Sequence, residues 1–167
     1  AIVRESFVGM ALQLGEGEML VRRKERGQSL EDCLTIDGAE HIQACLDAKR
    51  GVILATGHFG AWETLAFFMR EQFEPIWAVA RPPDNPLVAE WMFAWRERLI
   101  HGTLDKSGGG IKLARLLRDG AVVGMLLDQN AGRQGVMLDF FGQPCWQHKV
   151  AGVMARRFGV AVVPAYV

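Results

Sequence analysis

Residues 52–73 constrain the fold more than any other stretch. Val52-Ile53-Leu54-Ala55-Thr56 reads as a short buried strand, Gly57 and Gly60 permit a tight turn, and the apolar residues from Trp62 to Phe73 recur at helical spacing. The same order repeats along the chain. Residues 1–32 read as helical, with Arg22-Arg23-Lys24-Glu25-Arg26 as a charged interruption before Gly27, and 37–50 as a helix that stops at Lys49-Arg50-Gly51. A strand at 75–80 is followed by Arg81-Pro82-Pro83-Asp84-Asn85-Pro86, which is neither helix nor central strand. Helix returns at 87–100, and Gly108-Gly109-Gly110 opens another that runs to Asp119-Gly120. A strongly apolar strand at 121–127, a loop Asp128-Gln129-Asn130-Ala131-Gly132, a short strand near 136–141, a helix around 150–158 and a strand at 160–167 complete the chain. Strands alternating with helices predict an α/β fold, a mostly parallel or mixed central sheet flanked by helices.

Chemistry in such sheets gathers at the carboxyl ends of the strands. Gly57-His58-Phe59-Gly60-Ala61-Trp62-Glu63 places an imidazole and a carboxylate five residues apart where strand turns into helix. His58 there can take a proton from an alcohol, and Glu63 in the first helical turn can hold the other ring nitrogen. The alternative is that His58 caps the helix and Glu63 complements its positive N-terminus. Two further loops fall at strand ends and converge with the first on one crevice if the strands are neighbours. In one, Arg81 can fork onto a phosphate or carboxylate, or pair with Asp84 to stiffen the proline turn. In the other, Asp128 and Gln129 can orient a substrate hydroxyl, or Asp128 can serve as a turn or cap residue.

Composition narrows the partners. With 19 basic and 19 acidic residues the formal net charge is zero, so no global field draws nucleic acid and an anion site must be local. Apolar residues make up 50% of the 167, with five Trp and nine Phe, which favours a greasy groove or a membrane-facing surface. No apolar run approaches the ~20 residues that span a bilayer. Cys33, Cys45 and Cys145 lack ligand spacing and read as reduced thiols, and no metal site is expected. The chain starts without Met and stops within a strand-like run, so it is expected to be part of a longer protein.

The 57–63 segment, Arg81-Pro82-Pro83-Asp84-Asn85-Pro86, Leu127-Asp128-Gln129-Asn130-Ala131-Gly132, Asp139-Phe140-Phe141-Gly142-Gln143-Pro144 and Val162-Val163-Pro164 resemble, in order, the signatures of the bacterial lipid A late acyltransferases of the lauroyl/myristoyl type, within the glycerolipid acyltransferase superfamily. The resemblance covers essentially the whole chain. It implies a single acyltransferase domain over 1–167, a missing N-terminal membrane anchor and a missing C-terminal part. It implies an acyl-carrier-protein or coenzyme A thioester as donor, with no other cofactor. The acceptor it implies is a hydroxyl of a lipid A precursor at the cytoplasmic face of the bacterial inner membrane. By the same matching, His58 is the base, Glu63 its partner and Arg81 the acceptor-phosphate residue. Ala61 stands where the family often has Asn, and Asn85 is expected to supply the nearby amide. Cys145-Trp146-Gln147-His148-Lys149 is bulkier than the family's Thr-rich segment, and His148 is a candidate substrate contact.

A thioester is already activated, so direct transfer is expected, with the oxyanion held by backbone N–H groups near Gly57 or Gly60. Phe59, Trp62, Trp91, Trp95 and Phe141 are the expected acyl-groove or membrane-facing residues, although aromatics at helical spacing, as on 87–100, more often belong to a core. Other acceptors in view are a phosphatidylinositol mannoside, a lysophospholipid and an ornithine lipid. A noncatalytic lipid-binding domain is the alternative from another class.

Overall fold

Five strands form one wholly parallel sheet in a computed structural model that describes residues 2–33, 35–106 and 108–167. In chain order the elements are α1 (Ile2–Glu25), α2 (Ala39–Asp47), β1 (Val52–Thr56), α3 (Trp62–Gln72), β2 (Ile76–Ala80), α4 (Pro86–Glu97) and β3 (Gly102–Asp105). They continue with α5 (Gly110–Arg118), β4 (Val122–Leu126), β5 (Val136–Phe140), β6 (Gln143–Gln147), α6 (Val150–Phe158) and β7 (Ala161–Pro164). The large sheet has the order β3-β2-β4-β1-β7, and β5 and β6 form a separate antiparallel hairpin.

Strand order and handedness together fix the layers. The chain steps from β1 to β2 to β3 in one direction across the sheet, then from β3 to β4 to β7 in the other. Right-handed crossovers then put α3 and α4 on one face and α5 and α6 on the opposite face. The two cores follow. Val52 and Leu54 of β1 pack with Phe67 of α3, Trp95 of α4 and Leu20 and Val21 of α1. Ile53, between them, faces the other way onto Leu113 and Leu117 of α5 and Ala151 of α6. A strand buried on both faces reads as a continuous apolar run, which is why β1 and β4 were legible in the sequence.

Differences from the sequence expectation have local causes. The first helix ends at Glu25 because Gly27 takes a left-handed conformation, φ +67°, that terminates it. Strand β3, unexpected, is four residues long with only Gly102 and Leu104 buried, too short for a periodic signal. The expected strand near 136–141 acquires a partner, β6, through a two-residue turn at Phe141 and Gly142. The last strand stops at Pro164.

The sheet is incomplete in one place. Strand β4 pairs with β1 along all five residues, to Thr56 opposite Leu126, but with β2 only from Ile76 opposite Val122 to Ala78 opposite Gly124. Beyond those positions β2 and β4 part, at the carboxyl end of the sheet.

Helix α1 lies against this body through Gln13, Gly17, Leu20 and Val21, one stripe at helical spacing, and none of the helices among the described residues is long and apolar enough to cross a membrane. A Cβ at Gly17 would lie 2.7 Å from the buried Trp95 indole, whereas one at Gly9 of the same helix would meet nothing within 4 Å. Gly9→Ala is therefore expected to stabilise by up to ~1 kcal/mol through helix propensity. Gly17→Ala gains the same propensity and is expected to destabilise by ~1 kcal/mol or more net, because the indole must shift. Thermal unfolding of the two variants should move in opposite directions.

Candidate functional site

His58 and Asp128 meet because β1 and β4 are parallel neighbours in register. Thr56 is opposite Leu126, and the Leu127 N–H continues the ladder to the Thr56 carbonyl at 2.9 Å, so the residues two beyond each strand, 58 and 128, emerge abreast. The Asp128 carboxylate takes both groups that His58 offers: Oδ2 accepts from the His58 backbone N–H at 2.8 Å, and Oδ1 lies 2.8 Å from ring Nδ1. Gly57 makes the approach feasible, since a Cβ there would sit 3.2 Å from the Asp128 Cγ and 2.9 Å from the Phe59 ring. Trp62 braces the imidazole edge-on, centroids 5.2 Å apart. Partial burial alone would raise the Asp128 pKa, but the hydrogen bonds from the His58 backbone and ring, with the ring's charge, outweigh it and hold the carboxyl below the ordinary Asp range. In a neutral ring, Nδ1 facing a carboxylate carries the proton and Nε2 is left as an acceptor, the arrangement a general base needs.

The partner expected for His58 was Glu63. The structure instead gives Glu63 to Arg96 of α4, whose Nη2 donates to Oε1 at 2.5 Å and Nε to Oε2 at 3.3 Å. Their side chains are 11% and 15% exposed, so the fork is nearly closed to water and ties the start of α3 to α4. The sequence spacing of five did not decide between partners, because it carries no information on which helix packs beside α3.

Around this pair opens a crevice of about 830 Å³. His58, Trp62, Glu63, Arg81 and Gln129 all border it, so three strand-end loops do converge. It reaches inward past Ala78, Gly124 and Met125, along the parting of β2 from β4, to Leu54, Leu65, Ile76 and Leu99 on one face and Leu104, Leu113 and Met154 on the other. Two buried polar atoms of its wall residues, Thr56 Oγ1 and Trp77 Nε1, have no hydrogen-bond partner among the described residues.

Other expected site residues are placed elsewhere. Asn85 caps α4, its Oδ1 accepting from Leu87 N–H at 3.0 Å and Val88 N–H at 3.4 Å, so its amide oxygen is committed to the helix. Trp95 is buried in the core and Trp91 stacks on it at 6.4 Å; the wall residues from α4 are Met92 and Arg96. Phe59 sits exposed beside Tyr166, and Phe141 at the exposed tip of the β5–β6 hairpin, so of the five expected groove aromatics Trp62 alone borders the crevice. Arg81 is at the mouth in an ion pair with Asp84. The Gly60 backbone, φ +60°, passes so close to the Val167 carbonyl that a Cβ would overlap it. The His58 N–H, one of the amides near Gly57 open to an oxyanion role, is taken by Asp128.

Three crevice residues lacked a sequence signal as site residues or had only a weak one: Arg96, Lys106 and His148. Partial burial lowers the His148 pKa, the Lys106 charge lowers it further, and Asp128 opposes both. His148 is thus a neutral wall residue at pH 7.

Residues 1–167 match the family model described as bacterial lipid A biosynthesis acyltransferase. The chain belongs to that family. It is 28% identical over 135 residues to a phosphatidylinositol mannoside acyltransferase of Mycobacterium tuberculosis, an alignment that covers 78% of this chain and 43% of the relative. It is 26% identical over 141 residues to the phosphatidylinositol mannoside acyltransferase of Mycolicibacterium smegmatis, covering 82% of this chain and 46% of that protein. This family member thus spans under half the length of the curated relatives it matches.

Two stability tests separate the carboxylates. Glu63→Ala strands Arg96 in a nearly dry site, which costs about 3 kcal/mol and lowers Tm by roughly 5–10 °C. Asp128, more exposed, acts through pH: its folded pKa is depressed, so its contribution is fully present above the unfolded value of about 4 and is lost as pH falls through the folded value. The stability difference between the parent and Asp128→Asn should therefore narrow below about pH 4 in an acid titration followed by circular dichroism.

Proposed function

We propose that the protein transfers a fatty acyl group from an acyl-carrier-protein or coenzyme A thioester to a hydroxyl of a membrane glycolipid, with His58 as general base and Asp128 as the group that orients it. The observation that carries this reading is the ring of His58, held at Nδ1 by a carboxylate at the mouth of a crevice with an apolar interior. His58 Nε2 takes the proton as the acceptor oxygen attacks the thioester carbonyl. The new C–O bond forms, the C–S bond breaks, and the imidazolium returns its proton to the departing thiolate. Asp128 stabilises the imidazolium between those steps. The acyl chain occupies the parting between β2 and β4, where the wall is Leu, Ile and Met. The crevice is large enough for a drug-sized apolar ligand.

Arg81 at the mouth recognises an anionic group of the acceptor, exchanging its exposed partner Asp84 for a phosphate. The family description points to a lipid A precursor and the relatives' names to a phosphatidylinositol mannoside. Both are anionic glycolipids, and such an acceptor brings the reaction to the cytoplasmic face of the inner membrane.

Mass spectrometry of the full-length protein with acyl-carrier-protein and coenzyme A thioesters and a panel of lipid acceptors identifies donor and product. His58→Ala and Asp128→Asn should each lower kcat by ~10²–10⁴-fold. Asp128→Asn with undiminished kcat would return the carboxylate to a merely structural role.

A further inference from the structure

The β5–β6 hairpin stands apart from both cores, and its chemistry is unlike that of a solvated loop. All five β5 residues are exposed. Pairing puts Val136, Leu138 and Phe140 on one face with Cys145, Gln143 and Gln147, and Met137 on the other with Trp146, Pro144 and Asp139, so each face carries apolar side chains. At the apex, Phe141 adopts φ +53°, followed by Gly142 at φ +77°. Positive φ at both central residues is the sense a two-residue hairpin turn requires, and Asn, Asp or Gly normally fills the first position. A phenylalanine there is a strained backbone outlier. Its side chain is also 90% exposed, held only edge-on against Phe140 at 4.7 Å.

We infer that this hairpin tip is a shallow membrane anchor, with Phe140 and Phe141 entering the headgroup and acyl boundary of an anionic bilayer. Apolar side chains on both faces fit an occupant that surrounds the tip, which a bilayer does. Charge agrees: Arg133 and Lys149 flank the base of the hairpin, and Asp139, the one acidic residue between 132 and 149, is bound to the turn through the Gly142 N–H at 2.9 Å. Asp139 also sets the depth. Only the two residues beyond it enter, about 7 Å of strand, within the 5–10 Å that interfacial elements reach. The base of the hairpin is continuous with the site, since the Ala131 N–H, three residues after Asp128, donates to the Trp146 carbonyl at 2.9 Å and the returning strand leads to His148 in the crevice wall. A tip held in the bilayer therefore brings the crevice to the lipid. The inference rests on a lipid acceptor, as proposed above.

Sedimentation with vesicles of equimolar phosphatidylglycerol and phosphatidylethanolamine tests it without any turnover. Phe141→Asn removes the ring and supplies a residue that tolerates the turn, so Tm should hold or rise while vesicle partitioning falls about tenfold or more, ~1.4 kcal/mol or above. Phe141→Trp should keep partitioning and show a blue-shifted emission component that brominated acyl chains quench. Phe7→Ser alters a separate exposed apolar surface, on α1, and should leave partitioning near that of the parent. Partitioning unchanged in Phe141→Asn, or lost in Phe7→Ser instead, overturns the inference, as does a Phe141→Asn effect confined to self-association. Transfer in detergent that depends on His58 while the hairpin variants bind vesicles normally would remove the anchor and leave the proposed reaction standing. Hairpin-dependent binding without transfer to any lipid alcohol would do the reverse.

Discussion

Everything at the site depends on the parallel register between β1 and β4. A shift of one residue would turn every side chain of one strand to the opposite face and carry Asp128 away from His58. The register is secured by burial on both sides: Val52, Leu54 and Val122 are locked into one core while Ile53, Val123 and Met125 are locked into the other. The 2.8 Å contacts between His58 and Asp128 thus inherit their accuracy from ten strand residues that do no chemistry.

What the sequence could reveal follows from this. Strands β1 and β4 and the helices after β1 and β2 were legible because their apolar runs, prolines and glycines act within a few residues. The convergence of three loops was legible too, since a β-then-α order places strand ends on one side. Choosing the carboxylate for His58 was not, because Glu63 is five residues away and Asp128 seventy, and only the strand order says that β4 lies beside β1. The same limit explains the aromatics of α4. Helical spacing identifies a face, and the position of α1 decided that Trp91 and Trp95 stack away from the crevice while Met92 and Arg96 border it. Strand β3 and the pairing of β5 with β6 went unseen for a different reason, since four residues, or a strand exposed throughout, carry no burial period.

The Glu63–Arg96 fork has its own logic. Charged groups this dry persist when each satisfies the other, and this one joins two helices of the same layer at the crevice wall. It keeps the wall polar next to His58 where the interior beyond is Leu, Ile and Met.

The parting of β2 from β4 divides the sheet into two mechanical units. Strands β4, β1 and β7 carry His58 and Asp128; strands β2 and β3 carry Arg81, and past Ala78 and Gly124 no ladder joins the two. The width of the mouth between Arg81 and His58 can therefore drift, by changes in the layers on either side, while the hydrogen bonds between His58 and Asp128 stay fixed. A scaffold divided in this way can keep one histidine–carboxylate pair and re-gauge the opening beside it.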